Sequence, residues 1–118
     1  MPGLDPERRR YPRVKAEIPV ELSLLGSSAP MRTAIHEISL CGCYIESMFT
    51  MDVGTKVQLA FSLGETTGSA SGIVVTKYPQ VGNGIDFISM SPEDRLKLHD
   101  FIAELDRDAA SGKAGSTV

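Results

Sequence analysis

Short runs in which apolar and polar residues alternate fill the middle of the chain, from about residue 17 to residue 88. A period of two is typical of a β-strand with one buried face and one wet face. The run over 56–63 is the cleanest, because its apolar residues are separated mainly by polar ones. The alternation predicts six strands, over residues 17–24, 31–37, 43–47, 56–63, 69–78 and 84–88.

Turn-forming segments separate these strands, as at 26–30 and 64–68. Short strands at regular spacing are typical of an antiparallel sheet that closes into a barrel and so removes exposed edges. Pro19 cannot donate a ladder hydrogen bond, so we expect it at a sheet edge or a strand start. The predicted fold class is mainly β: a six-stranded antiparallel β-barrel with one C-terminal α-helix.

The pattern changes to a helical period after residue 90. Ser91 can cap a helix, Pro92 suits its first position, and the acids at 93 and 94 favour the positive end of its dipole. An apolar stripe of helical spacing follows, and it predicts a helix that closes one end of the barrel. A helix that binds a partner is the alternative. The stripe consists of Leu98, Phe101, Ile102 and Leu105.

The chain of 118 residues has the length of one domain. Prolines make a helix in its first part improbable, so we predict a flexible basic arm over 1–16. The barrel and helix are predicted over 17–105, and a disordered tail rich in Ala, Gly and Ser over 106–118. We find no signal peptide and no membrane-spanning stretch, so we expect no membrane insertion and a cytoplasmic location.

Charge is unevenly distributed along the chain. The net charge of −3 argues against a nucleic acid polymer as partner, yet five of the 12 Lys and Arg residues lie between Arg8 and Lys15. This clustering predicts a local anion site, with a solvated basic tail as the alternative.

Enzymatic and metal-binding roles are not expected. Cys41 and Cys43 have the spacing of two residues on one strand face, and no further ligand completes a metal site with them. We therefore expect two reduced thiols. His36 and His99 lie on different elements, without an acid or a nucleophile at a telling spacing. The sequence thus predicts no cofactor, no metal site and no catalytic residue.

Two segments carry candidate binding chemistry, namely 9–13 and 37–42. Arginine can grip a phosphate with two parallel hydrogen bonds, and it also matches the O6 and N7 acceptors of guanine. The carboxylate of Glu37 can accept the N1 and N2 hydrogens of guanine, and Ser39 adds a hydroxyl. Gly42 permits a close approach that a side chain would forbid. Together these residues would suit a ligand that carries both guanines and phosphates.

These two segments resemble the motifs of the PilZ domain family, R-x-x-x-R on an N-terminal arm and D/N-x-S-x-x-G on the barrel. Arg9 and Arg13 have the spacing of the first motif, and Ser39 and Gly42 match the second. The later segment 84–87 is similar to a strand near the end of the family's barrel. The resemblance covers about residues 7–105. It implies a receptor for the bacterial messenger cyclic di-GMP, with arm arginines on phosphate and guanine and the second motif on a guanine.

The resemblance further implies that the signal passes to an unidentified effector protein, in motility, exopolysaccharide or surface behaviour. Arg8 and Arg10 add phosphate contacts, which favours two stacked ligand molecules. Glu37 stands where the family has Asp or Asn; it keeps the acceptor but is one methylene longer. The main alternative is a PilZ-like adaptor that binds only protein. A small RNA-binding barrel is a weaker one, because the chain is acidic and only 6% aromatic.

Overall fold

The structure, a computed structural model, describes residues 13–24 and 29–116, with side chains as far as residue 107. Six antiparallel strands form a closed barrel in the order β1-β2-β3-β6-β5-β4, and one helix follows them. This confirms the predicted fold class. The elements are β1 (Val14–Leu24), β2 (Met31–Ile38), β3 (Gly42–Glu46), β4 (Lys56–Leu63), β5 (Thr66–Tyr78), β6 (Gly82–Ser89) and α1 (Pro92–Ser116).

Alternation along the strands builds the core. In β4, all four apolar residues at odd positions point inward and are buried, and the polar residues between them face water. The same alternation holds in β1 and in the middle of β5. Burial of these side chains, at about 25 cal/mol for each Å² of apolar surface, is the main force that holds the barrel closed. Phe61, Ile18, Leu22 and Ile35 are among its largest fully buried side chains.

The first strand begins earlier than residue 17, where the alternation was expected to start. Val14 is buried and pairs with Ile38, and a register shift follows between Lys15 and Ile18. The apolar alternation in fact runs back through residue 16 to Val14. Pro19 pairs with Ala34 of β2, whereas the pairing of β1 with β4 begins only at the next residue. Pro19 therefore lies just before the ladder between β1 and β4, where its missing N–H costs no hydrogen bond.

The hairpin between β4 and β5 is tighter than the loop expected over 64–68. Leu63 pairs directly with Thr66, so only two residues form the turn, and Gly64 adopts a φ of +70° there. The glycine relieves the steric cost that a side chain would meet in this conformation. As a result β5 begins at Thr66 rather than at Ser69.

The helix starts as predicted and covers one end of the barrel. The Ser91 hydroxyl accepts a hydrogen bond from the backbone N–H of Asp94 at 3.1 Å. Leu98 and Ile102 are buried in the core. The backbone stays helical to Ser116, beyond residue 105, where the helix was expected to end. Ala and Arg at 107–110 favour a helix, and the first glycine comes only at residue 112.

The connections between strands lie at two opposite ends of the barrel. The helix end carries α1 and the turns at 39–41 and 64–65, whereas the loop end carries the loop 47–55 and the turn 79–81. Within the described part of the chain, no helix is both long enough and apolar enough to cross a membrane.

Candidate functional site

A single cross-strand row on the outer face of the barrel carries the candidate binding residue Glu37 together with Tyr44. Lys15 pairs with Glu37, Glu37 with Tyr44, Tyr44 with Gly84, and Gly84 with Thr76. The row thus crosses five neighbouring strands, β1, β2, β3, β6 and β5. Directly paired residues lie within about 5.5 Å of each other, so these side chains share one patch of surface.

A cavity of about 310 Å³ lies on this row. Its floor is open because Gly84 has no side chain. A Cβ at Gly84 would collide with the hydroxyl of Thr76. The same hydroxyl accepts a hydrogen bond from the Gly84 N–H at 3.0 Å. The volume falls in the lower part of the range for small-molecule sites. The residues that line it are Arg13, Glu37, Ile38, Ser39, Gly42, Cys43, Tyr44, Thr76, Tyr78 and Gly84.

Arg13 and Glu37 meet at the edge of the cavity. The Nη1 atom of Arg13 lies 3.3 Å from Oε1 of Glu37, and the two side chains are 52% and 32% exposed. The fold therefore joins two residues from the two sequence motifs, 24 positions apart. An ion pair with this exposure contributes about 0–1 kcal/mol to stability. Both groups can consequently exchange their mutual contact for contacts with a ligand at little cost.

Ser39 and Gly42 form the turn between β2 and β3. The Ser39 hydroxyl accepts a hydrogen bond from the Cys41 N–H at 3.0 Å, and the Ser39 N–H donates to the Gly42 carbonyl at 2.8 Å. Ser39 is almost fully buried. A Cβ at Gly42 would collide with the backbone carbonyl of Ile85 in β6. Both motif residues therefore shape the backbone of the turn that forms one wall of the cavity.

Two tyrosines that the sequence did not identify as binding residues form another wall. The rings of Tyr44 and Tyr78 meet edge to face, with centroids 6.3 Å apart and an interplanar angle of 61°. The Tyr44 ring lies over Gly82, where a Cβ would strike it. Burial, together with the charge of Glu46, raises the pKa of Tyr44, so its phenol is neutral at physiological pH. The alternation of apolar and polar residues in β3 predicts that Tyr44 faces outward. That Tyr78 lies beside it follows only from the pairing of β3 with β6 and of β6 with β5.

The site therefore combines a guanidinium, a carboxylate and two aromatic faces around one cavity. A model of the PilZ domain matches residues 7–104 of the chain. The chain belongs to the PilZ domain family. This confirms the resemblance drawn from the sequence motifs. No curated protein matches the chain with statistical significance.

Several solved structures share the fold at low sequence identity. YcgR from Escherichia coli in complex with c-di-GMP has a TM-score of 0.77 and 20% identity, over 94% of this chain and 51% of that one. Its PilZ domain with c-di-GMP has a TM-score of 0.72 and 17% identity, over 91% and 98%. The inhibitor of motility MotI/DgrA from Bacillus subtilis has a TM-score of 0.73 and 17% identity, over 86% and 52%. This chain thus spans about half the length of MotI and of the longer YcgR chain.

The predicted site residues of this PilZ domain fall into two groups. Arg13, Glu37, Ser39 and Gly42 are brought together around the cavity. The remaining three, Arg8, Arg9 and Arg10, lie outside the described residues.

The cysteines and histidines of the PilZ domain lie in different surroundings. Cys43 points into the core, where burial raises the pKa of its thiol to about 12, whereas Cys41 lies in the turn before β3. They therefore do not line the core as a pair, and both are reduced thiols outside any disulfide. His36 lies 3.6 Å from Glu46 on the outer face, and His99 is exposed on the helix. Among the described residues no group of His, Cys, Asp or Glu side chains could hold a metal ion.

Proposed function

We propose that this PilZ domain is a receptor for cyclic di-GMP that acts in the cytoplasm on a partner protein. One observation carries the proposal: the cavity of about 310 Å³ unites Arg13 of the first family motif with Glu37, Ser39 and Gly42 at the second. The structural similarity to YcgR, whose PilZ domain was solved with c-di-GMP, supports the same ligand class. The similarity to MotI, an inhibitor of motility, makes motility one of the processes in which such a receptor would act.

Each wall of the cavity has a counterpart in the ligand. The guanidinium of Arg13 offers paired donors to a phosphate oxygen or to the O6 and N7 atoms of guanine. The two oxygens of Glu37 offer acceptors to the N1 and N2 hydrogens of the same base. Tyr44 and Tyr78 provide apolar ring surface, on which a purine stacks with about 1–3 kcal/mol per base.

Binding would exchange one ion pair for two charged contacts. In the free protein Arg13 and Glu37 neutralise each other at 3.3 Å. A ligand with an anionic phosphate and a guanine donor edge complements both groups at once, whereas a simple anion complements only the arginine. The pair would therefore favour guanine nucleotides over inorganic phosphate. The arginines at 8, 9 and 10 would add phosphate contacts, and two ligand molecules per chain remain our expectation.

Calorimetric titration of cyclic di-GMP tests the proposal. We expect micromolar or tighter binding to the wild-type chain. A double variant, Arg9→Ala with Arg13→Ala, should bind at least about a hundred-fold more weakly, because each charged hydrogen bond contributes about 1.5–3 kcal/mol. A control with Arg32→Ala and Arg107→Ala removes the same charge from exposed positions away from the cavity and should bind like the wild type. Equal binding by both double variants would reject this site.

A second candidate is an adaptor that binds only protein, and Glu37 is the observation that favours it. Its side chain is one methylene longer than the family's Asp or Asn, and its carboxylate already contacts Arg13 at 3.3 Å. The variant Glu37→Asp separates the two functions in the same titration. If cyclic di-GMP releases heat only with the Glu37→Asp variant, then the glutamate prevents ligand binding in an otherwise intact site. If neither wild type nor variant binds while both are folded, the adaptor function is the better account.

A further inference from the structure

An apolar surface covers the loop end of the barrel, away from Arg13 and Ser39. Met48 and Phe49 are 74% and 83% exposed at the tip of the loop 47–55. Met31 and Val81, with 39% and 53% exposure, adjoin them. The four belong to one surface: Met31 and Phe49 line the same cavity, and the N–H of Ser47 donates to the Val81 carbonyl at 2.9 Å. We call these four residues the apolar patch.

Hydrogen bonds and an ion pair anchor the loop that carries Met48 and Phe49. The side chain of Asn83, fully buried at the start of β6, accepts from the Met51 N–H at 2.8 Å and donates to the Met51 carbonyl at 2.9 Å. Nearer the tip, the Ser47 hydroxyl accepts from the Phe49 N–H at 3.1 Å. Lys77 binds Asp52 at 2.7 Å on the far side of the loop. These contacts hold the loop backbone at Phe49, so less backbone freedom is lost when the residue is buried in an interface.

A second cavity, of about 310 Å³, opens beside Phe49 at the mouth of the barrel. Its floor consists of the buried residues Leu22, Ile45 and Asn83, and its rim includes Met31, Thr33 and Phe49. A cavity of about 150 Å³ is already enough to hold benzene, so this one has room for a phenylalanine ring. Because Phe49 stands on the rim and points out, it does not fill the cavity of its own chain.

We propose that the apolar patch is a homodimer interface, in which Phe49 of each chain enters the mouth cavity of the other. A protruding group beside a matching cavity on one surface is the arrangement that a two-fold interface requires, because each contact then occurs twice. At about 200 Å² for a large side chain, the four residues expose roughly 500 Å². A stable interface buries about 800 Å² per partner, of which about 65% is apolar in homodimers. The exposed area of the apolar patch is therefore close to the apolar area that one chain contributes to such a homodimer interface.

Sedimentation equilibrium of the full chain without ligand tests this interface independently of cyclic di-GMP. We expect a mass twice the 12.7 kDa of one chain at micromolar concentration. Phe49→Ala should raise the dimer dissociation constant about thirty-fold, the effect of removing an interface hot spot. Thr33→Trp should weaken the dimer as well, because it fills the cavity and leaves Phe49 untouched. Leu96→Ala, which truncates an apolar side chain with 61% exposure on the helix, should leave the dimer unchanged.

Two results would overturn the proposal. A wild-type chain that stays monomeric at sub-millimolar concentration would show that the patch does not bind its own copy. A dimer with unchanged affinity in Phe49→Ala would show that association uses another surface. Because Phe49 is exposed, its truncation leaves the fold intact, and circular dichroism of each variant verifies this before sedimentation.

Discussion

At the scale of single residues, part of the family's binding motif has a structural purpose. Ser39 uses its hydroxyl to hold the N–H of Cys41, and Gly42 lets the carbonyl of Ile85 approach β3. Glu37 and Arg13, in contrast, form an ion pair at the surface, which contributes little to the stability of the fold. The turn residues therefore position the site, and the charged residues are the ones available to a ligand.

The substitution Gly42→Ala should lower the free energy of unfolding by about 1–3 kcal/mol, because the added methyl forces the backbones of β3 and β6 apart. Urea denaturation measures this change. Gly64→Asn is the matched control, since residue 64 has open space around it and Asn tolerates its positive φ. If Gly42→Ala keeps wild-type stability and only ligand binding falls, the glycine serves the ligand and not the fold.

At the scale of elements, the sequence predicted what alternation and capping encode. All six strands and the helix start were foreseen, and β4 agreed to the residue. The predicted and observed strand bounds differ where pairing with a neighbouring strand determines how far a strand extends. Val14 belongs to β1 because Ile38 is opposite it, and β5 reaches back to Thr66 because the turn before it needs only two residues. Such pairings depend on residues far apart in the chain, which a local pattern does not contain.

The Ser91 cap gives a prediction for the helix. Ser91→Ala removes the acceptor of the Asp94 N–H and should cost about 1 kcal/mol of stability. Ser91→Asn supplies an equivalent acceptor and should stay close to wild type. Because Leu98 and Ile102 of the same helix are buried in the barrel core, we expect one cooperative urea transition that shifts as a whole. An unchanged midpoint for Ser91→Ala would mean that the start of the helix does not contribute to global stability.

At the scale of the whole molecule, closure of the barrel assembles the site. The motif residues as far as Gly42 were identifiable from sequence, but Thr76, Tyr78 and Gly84 join them only because β6 and β5 follow β3 around the barrel. Closure also sets where the two surfaces lie. The cavity with Arg13 and Glu37 lies along the outer wall and the apolar patch lies at the loop end. They adjoin at the turn 79–81, where the Val81 N–H donates to the carbonyl of Tyr78 at 2.8 Å.

The central claim, that cyclic di-GMP occupies this cavity, is most directly tested by tyrosine fluorescence. The chain has no tryptophan and three tyrosines, two of which line the cavity. After correction for absorption by the nucleotide, we predict saturable quenching of the emission by cyclic di-GMP, with the midpoint found by calorimetry, and no quenching in the double variant Arg9→Ala with Arg13→Ala. Unchanged tyrosine emission from a folded wild-type chain at saturating ligand would contradict the claim, because no base would then lie against Tyr44 or Tyr78.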